Sequence, residues 1–168
     1  AIHIGTDFRF GHSRKGDAEV LRALGYSVES IPMVSGVSSS EIRTSVGEGK
    51  VLRAAEMLGR PFELSGEVVV GDQRGGTLGF PTANLIIDPT LLVPSYGIYA
   101  GSAQGYKAAI SVGVNPHYGG RERRIEAHLL DFEGDLYGTH LEIELWKRLR
   151  GERVFDSEKA LVDQIARD

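Results

Sequence analysis

Apolar residues keep two different rhythms along this chain, and the change falls near Gly59-Arg60-Pro61. Ahead of that point the pattern predicts a short buried strand over residues 1–5, a helix over 17–24 capped by Asp17 and stopped by Gly25, and a second strand over 26–32. Ser38-Ser-Ser-Glu-Ile-Arg43 places serines to cap a further helix. Val51, Ala54, Ala55 and Leu58 then fall at i, i+3, i+4 and i+7, one face of a helix. Strand, helix, strand, helix is α/β order, yet residues 1–58 are too few for a doubly wound sheet. The segment reads as part of a larger domain. Because position 1 is Ala and begins directly in a strand pattern, the natural N-terminus is expected to lie upstream.

After Pro61 the period becomes two. Residues 62–70, 97–103, 106–112, 125–131 and 141–146 each alternate like strands and are separated by Gly, Pro, Asn and Asp turns. Several short strands with turn signals point to an antiparallel barrel or sandwich. Residues 156–166 close the chain as a helix that Asp156 can cap, with Ala160, Leu161 and Ile165 on its apolar side.

Bulk properties narrow the function. A net charge of -4, with Arg121-Glu-Arg-Arg124 as the one short basic cluster, excludes a dedicated nucleic-acid binder. No apolar run approaches the ~20 residues of a membrane helix, and no charged-then-apolar leader opens the chain. With no cysteine there are no disulfides or thiolate nucleophiles, which fits a reducing, cytoplasmic setting. Scattered histidines with no H-x-x-x-H pair make a transition-metal site improbable.

The run GDQRGGTLGFPTANL, residues 71–85, carries the strongest chemical signal. It lacks the Gly-Lys-Ser/Thr of a P-loop and the G-x-G-x-x-G of a dinucleotide fold. Gly71, Gly75 and Gly79 fall four apart, an arrangement that lets backbone N–H groups approach an anion such as a phosphate. Thr82 and Asn84 lie two apart on an extended segment stiffened by Pro81, so their oxygens share a face and suit Mg²⁺. A plain Gly-rich hairpin turn followed by an edge strand accounts for the same residues.

The spacing G-x-x-x-G-x-x-x-G-x-P-T-A-N resembles the signature of the riboflavin kinase family, and further motifs follow in order. Residues 94–99 (PSYGIY), 111–116 (SVGVNP) and 125–138 (IEAHLLDFEGDLYG) are similar to family segments, as is Phe155-Asp-Ser157 at the start of the last helix. Residues 5–17 (GTDFRFGHSRKGD) and Ser38-Ser-Ser-Glu-Ile-Arg43 resemble the second half of the adenylyltransferase part of the bacterial bifunctional enzyme, FAD synthetase. The His-x-Gly-His motif of that part is not present in these residues, and Pro116-His117-Tyr118 stands where the family commonly shows Pro-Thr-Phe.

The resemblance implies an α+β chain in two parts. Residues 1–58 would be a partial, Rossmann-like adenylyltransferase segment, and residues 59–168 a kinase domain built as a six-stranded antiparallel Greek-key β-barrel with a C-terminal helix. It implies transfer of phosphate from ATP to riboflavin, giving FMN and ADP, with Mg²⁺. Glu126 would be the catalytic base, Thr82 and Asn84 the metal ligands, and Gly71, Gly75, Gly79, Pro81, Thr82 and Asn84 the ATP site. Arg150 and Phe155 would meet the flavin, while Asp7, Phe8, Ser39, Ser40 and Arg43 would belong to the adenylyltransferase site. The alternation over 125–130 puts Glu126 and His128 opposite an apolar face, which by itself favours a solvated strand glutamate, and His128 would either orient Glu126 or simply fill space. Trp146 is a candidate for stacking on the flavin ring or for packing.

Overall fold

The computed structural model describes residues 1–71, 80–114, 123–153 and 155–168. By packing, they divide into two units, Ala1–Val37 and Ser38–Asp168. The first unit pairs β1 (Ile2–Gly5) with β2 (Val28–Ile31) in parallel, and α1 (Ala18–Ala23) makes the crossover between them. Asp17 caps α1 as its side chain accepts from the amides of Glu19 and Val20. Two strands and a helix form one βαβ unit, short of a doubly wound sheet.

The second unit opens with α2 (Ser39–Gly47), capped by the Ser38 hydroxyl, and α3 (Val51–Leu58). Six antiparallel strands follow: β3 (Phe62–Val69), β4 (Ala83–Ile86), β5 (Gly97–Ala103), β6 (Tyr106–Val114), β7 (Arg123–Leu129) and β8 (His140–Arg150). Their order is β3-β4-β7-β6-β5-β8, and β8 pairs back onto β3 to close a barrel. The meander β5-β6-β7 is thus flanked by β4 on one side and β8 on the other, the Greek-key arrangement the resemblance implies. Alternation sends Tyr99, Ile110, Ile125, Leu141, Ile143 and Leu145 into a fully buried interior. α4 (Glu158–Ile165) ends the chain, and its cap is Ser157 rather than Asp156, since the Ser157 hydroxyl accepts from the Ala160 amide at the third helical position.

α3 belongs with the barrel by its contacts. Val51 joins the barrel core and is 0% exposed, and the helix packs on β3 and β8. The α2–α3 turn is seated by Gly49, whose φ of +75° suits glycine, and a Cβ there would stand 2.4 Å from Ser95 Oγ and 2.8 Å from Tyr99 Oη. Tyr99 in turn donates its hydroxyl to the Ser95 carbonyl at 2.5 Å.

β8 carries two irregularities against β5, at Leu149 and Trp146, where one residue of β8 is left without a cross-strand partner. Trp146 stands on the outer face. Its indole donates to Glu144 Oε2 at 2.9 Å, and Ser102 donates to the same oxygen at 2.8 Å.

Two predictions follow from these contacts. Gly49→Ala meets both a left-handed backbone and an occupied space, whereas Gly105→Ala, with φ +82° and nothing within 4 Å, meets only the backbone strain. Urea unfolding is expected to show the Gly49 change costing about 1 kcal/mol more than the Gly105 change; equal costs would mean that the turn is not seated. The bonds from Trp146 and Ser102 hold the Glu144 carboxyl below its ordinary value of 4.5. A depressed carboxylate contributes stability above its unfolded value, and the contribution is lost as pH falls through the folded value. Fluorescence of Trp146, the one tryptophan, is therefore expected to change only below pH 4.5 and to lose that step in Glu144→Gln.

Candidate functional site

The register of β4 against β7 builds the site. Asn84 pairs directly with Glu126, and Glu126 faces Ser111 of β6 on its other side. Ile125, Ala127 and Leu129 are buried, so Arg124, Glu126 and His128 share the outer face of β7. Asn84 lies on the same face and is nonetheless buried at 7% exposure. A buried amide requires partners. Arg124 Nε donates to Asn84 Oδ1 at 2.9 Å and stands 2.6 Å from Glu126 Oε1. Asn84 Nδ2 turns the other way, 3.5 Å from the Thr82 carbonyl.

Gly71 ends the described part of the Gly-rich run and lies directly against Asn84. A Cβ on it would stand 2.3–2.5 Å from the amide atoms of Asn84, so the backbone approaches where no larger residue fits. Pro81 is fixed from the neighbouring strand, because His128 Nδ1 lies 2.8 Å from its carbonyl and Phe80 packs edge-on to the same ring at 5.4 Å. Of the two readings open for His128, the structure gives it a contact that anchors Pro81.

Beside this outer-face cluster, the barrel mouth opens into a cleft of about 110 Å³. Pro81, Thr82 and Ala83 form one wall, and Phe132, Asp135, Leu136 and Tyr137 face them. Two motifs about fifty residues apart thus line one opening. The loop holding the second wall is shaped by Asp135, which accepts from the Tyr137 amide at 2.9 Å, and by Thr139, which donates to the Leu136 carbonyl at 2.7 Å.

The remaining predicted residues fall elsewhere. Arg150, at the end of β8, forms a two-pronged ion pair with Asp168 at 2.5–3.0 Å and sits over the Phe155 ring at 5.7 Å. Burial pushes the Asp168 carboxyl up, but the bonds from Arg150 and Gln164 outweigh it and hold the group below the usual carboxylate range. Asp7 and Phe8 lie in the first unit, where Phe8 stacks on Phe10. Ser39, Ser40 and Arg43 are exposed on α2, in the second. Gly75, Gly79 and His117 lie outside the described residues. Trp146 is 39% exposed on β8, which is not adjacent to β4 or β7 in the barrel.

Arg124 is the member of the cluster that the sequence reading passed over. It belongs to a short basic run, although the alternation that puts Glu126 and His128 on one face also puts Arg124 there. Among the described residues, no group of three or more His, Cys, Asp or Glu side chains is placed to hold a metal, and no helix is long and apolar enough to cross a membrane.

Comparison with known proteins identifies the family. The family model described as riboflavin kinase matches residues 58–168. The bifunctional riboflavin kinase/FMN adenylyltransferase of Buchnera aphidicola is 35% identical over 99% of this chain and 58% of its own length. The protein of the same name from Escherichia coli K12 is 36% identical over 99% of the chain and 57% of its own. A solved structure from Streptococcus pneumoniae, described as a macrolide-efflux protein, is 37% identical with a TM-score of 0.84, covering 98% of this chain and 58% of that one. The chain thus spans somewhat more than half the length of the curated relatives it matches. With a matching family model over most of its length, and the motifs of that family converging on one barrel mouth, the chain belongs to the riboflavin kinase family.

Proposed function

We propose that this chain transfers the γ-phosphate of ATP to the 5'-hydroxyl of riboflavin, giving FMN and ADP. The observation that carries the reading is the pairing of Asn84 with Glu126 across β4 and β7, beside a cleft walled by Pro81 and Thr82. Phosphoryl transfer asks little covalent chemistry of the protein; it asks for placed phosphates and a group to take the alcohol proton. Glu126 is that group. Its carboxylate accepts the proton of the ribityl hydroxyl as that oxygen bonds to the γ-phosphorus. The bond to the bridging oxygen breaks, and its electron pair leaves with ADP.

Residues 71–84 serve the phosphates. Gly71 brings backbone against Asn84 where a Cβ has no room, and Pro81 and Thr82 border the cleft that receives the nucleotide. The donor set fits Mg²⁺, since the Asn84 oxygen already faces a positive guanidinium and a carboxylate stands beside it. Thr82 and Asn84 would hold the ion, with phosphate and water completing its shell. Bound there, Mg²⁺ would neutralise charge on the β- and γ-phosphates. Gly75 and Gly79 extend the phosphate site in this reading, and Arg150 with Phe155 borders the flavin. The partners are small molecules, with no nucleic acid or membrane, and the setting is cytoplasmic.

A second reading is favoured by the relatives, which carry an adenylyltransferase name and are matched across nearly all of this chain. In it the whole protein also converts FMN and ATP to FAD and diphosphate, and residues 1–58 belong to the part that does so. Incubation with riboflavin, ATP and Mg²⁺, followed by chromatography of the flavins, separates the readings. FMN alone supports the kinase, FAD supports the bifunctional enzyme, and unchanged riboflavin overturns both in favour of a binding module.

Glu126→Gln is expected to lower kcat by about 10²- to 10⁴-fold while the affinities for riboflavin and ATP stay near those of the parent. Thr82→Ala and Asn84→Ala are expected to abolish most turnover in folded protein. Parent-like rates in all three would remove these residues from the mechanism. For the two-part organisation, the fragment 38–168 is expected to melt like the barrel of the whole chain. The fragment 59–168 should melt lower, because it loses Val51 and Ala54, each 0% exposed. Both should still phosphorylate riboflavin.

A further inference from the structure

We propose that Arg124 is a built-in placeholder for the metal-bound nucleotide, holding Asn84 and Glu126 in working alignment and leaving Asn84 when the nucleotide enters. The proposal rests on the phosphotransfer reading above. Asn84 and Glu126 are direct cross-strand partners, so their side chains emerge close together on the outer face, an amide oxygen beside a carboxylate. With the Asn84 oxygen turned toward this side, the two acceptors need a donor between them. Arg124 Nε is that donor, 2.9 Å from Asn84 Oδ1 and 2.6 Å from Glu126 Oε1. It reaches them from two residues along β7, on the same face.

The arrangement cannot persist once a cation is bound at Asn84. Two positive centres within about 3 Å repel strongly in a half-buried site, so the same oxygen cannot serve both. The structure also offers the guanidinium another acidic neighbour. Across β6, the residue paired with Arg124 is Gly113, which has no side chain. The space above it is taken by the Glu152 carboxylate, whose Oε1 would stand 2.2 Å from a Cβ built on Gly113. Glu126 thus lies beside Arg124 along its own strand, and the Glu152 carboxylate lies over its cross-strand partner Gly113. Leaving Asn84 keeps the guanidinium with Glu126 and does not strand it in an apolar setting. As a positioning residue, Arg124 thus opposes nucleotide binding and supports turnover, two effects with opposite signs.

The test uses the whole chain. Titration calorimetry with ADP in excess Mg²⁺ reads binding directly, and steady-state phosphorylation of riboflavin reads kcat and KM. In Arg124→Met the competing cation is gone, and Mg·ADP is expected to bind about fivefold tighter while kcat falls about tenfold. Arg124→Lys keeps the charge and is expected to return both values toward those of the parent. Arg124→Gln, uncharged but still a hydrogen-bond donor, should give tighter binding as well and replaces the methionine variant should that one fold poorly. Equal or weaker Mg·ADP binding in folded Arg124→Met and Arg124→Gln, with an active parent, would overturn the placeholder and make Arg124 a phosphate ligand or a surface ion pair. A parent that neither binds Mg·ADP nor phosphorylates riboflavin would instead overturn the phosphotransfer reading and this proposal with it.

Discussion

The register of β4 against β7 is the constraint on which the rest depends. In a closed antiparallel barrel each residue faces either the packed interior or the outside, and a slip of one position exchanges the two sets. Here Ala83 and Leu85 face Ala127 and Ile125 in the core, and that pairing forces Asn84 and Glu126 to meet outside. The apolar residues therefore set the geometry of the polar ones. A buried Asn between two core residues has no freedom to search for a partner, so the partner must be supplied, and Arg124 supplies it.

Most of the barrel was legible because alternation is a strong signal in two-sided strands. Residues 97–103 match β5 at both ends, and β3 differs from the expected run by one residue. β4 was not counted among the strands, though its residues were read as extended. It has only four residues, it follows Pro81, and Ala83, Asn84 and Leu85 are all buried, so polarity and burial do not alternate together. It pairs on both sides, with β3 and β7, where a plain hairpin reading would make it an edge. β8 ran further than expected because Lys147, Arg148 and Arg150 look like loop residues, yet their backbone still pairs with β5 across two irregularities.

The chemical signals were legible in a different way. Motif order pointed to Asn84 and Glu126 separately, and only strand pairing makes them neighbours. Arg124 was hidden because a short charged run usually lies in solvent, and no local pattern announces that one member of it reaches across to another strand. The boundary between the two parts shows the same limit. Helical spacing at Val51, Ala54 and Leu58 revealed an apolar face without revealing that the face belongs on the barrel. The residues where the family model begins and where the packing divides differ by about twenty positions, and α2 and α3 account for the difference.

The barrel closes by pairing β3, its first strand, with β8, its last, and the Gly49 turn rests on Ser95, Tyr99 and Arg148. The β3–β8 pairs, such as Phe62 with Leu145, lie about eighty positions apart, and Gly49 and Arg148 about a hundred. A chain emerging from the ribosome therefore cannot close this barrel, nor seat α3 on β8, until its last strand has been made. The early strand β3 waits with an open edge through most of synthesis, and its Glu63 and Glu67 place charge on that edge during the wait. Closure therefore comes late in synthesis, after β4 and β7, the two strands that make the site, have both been made.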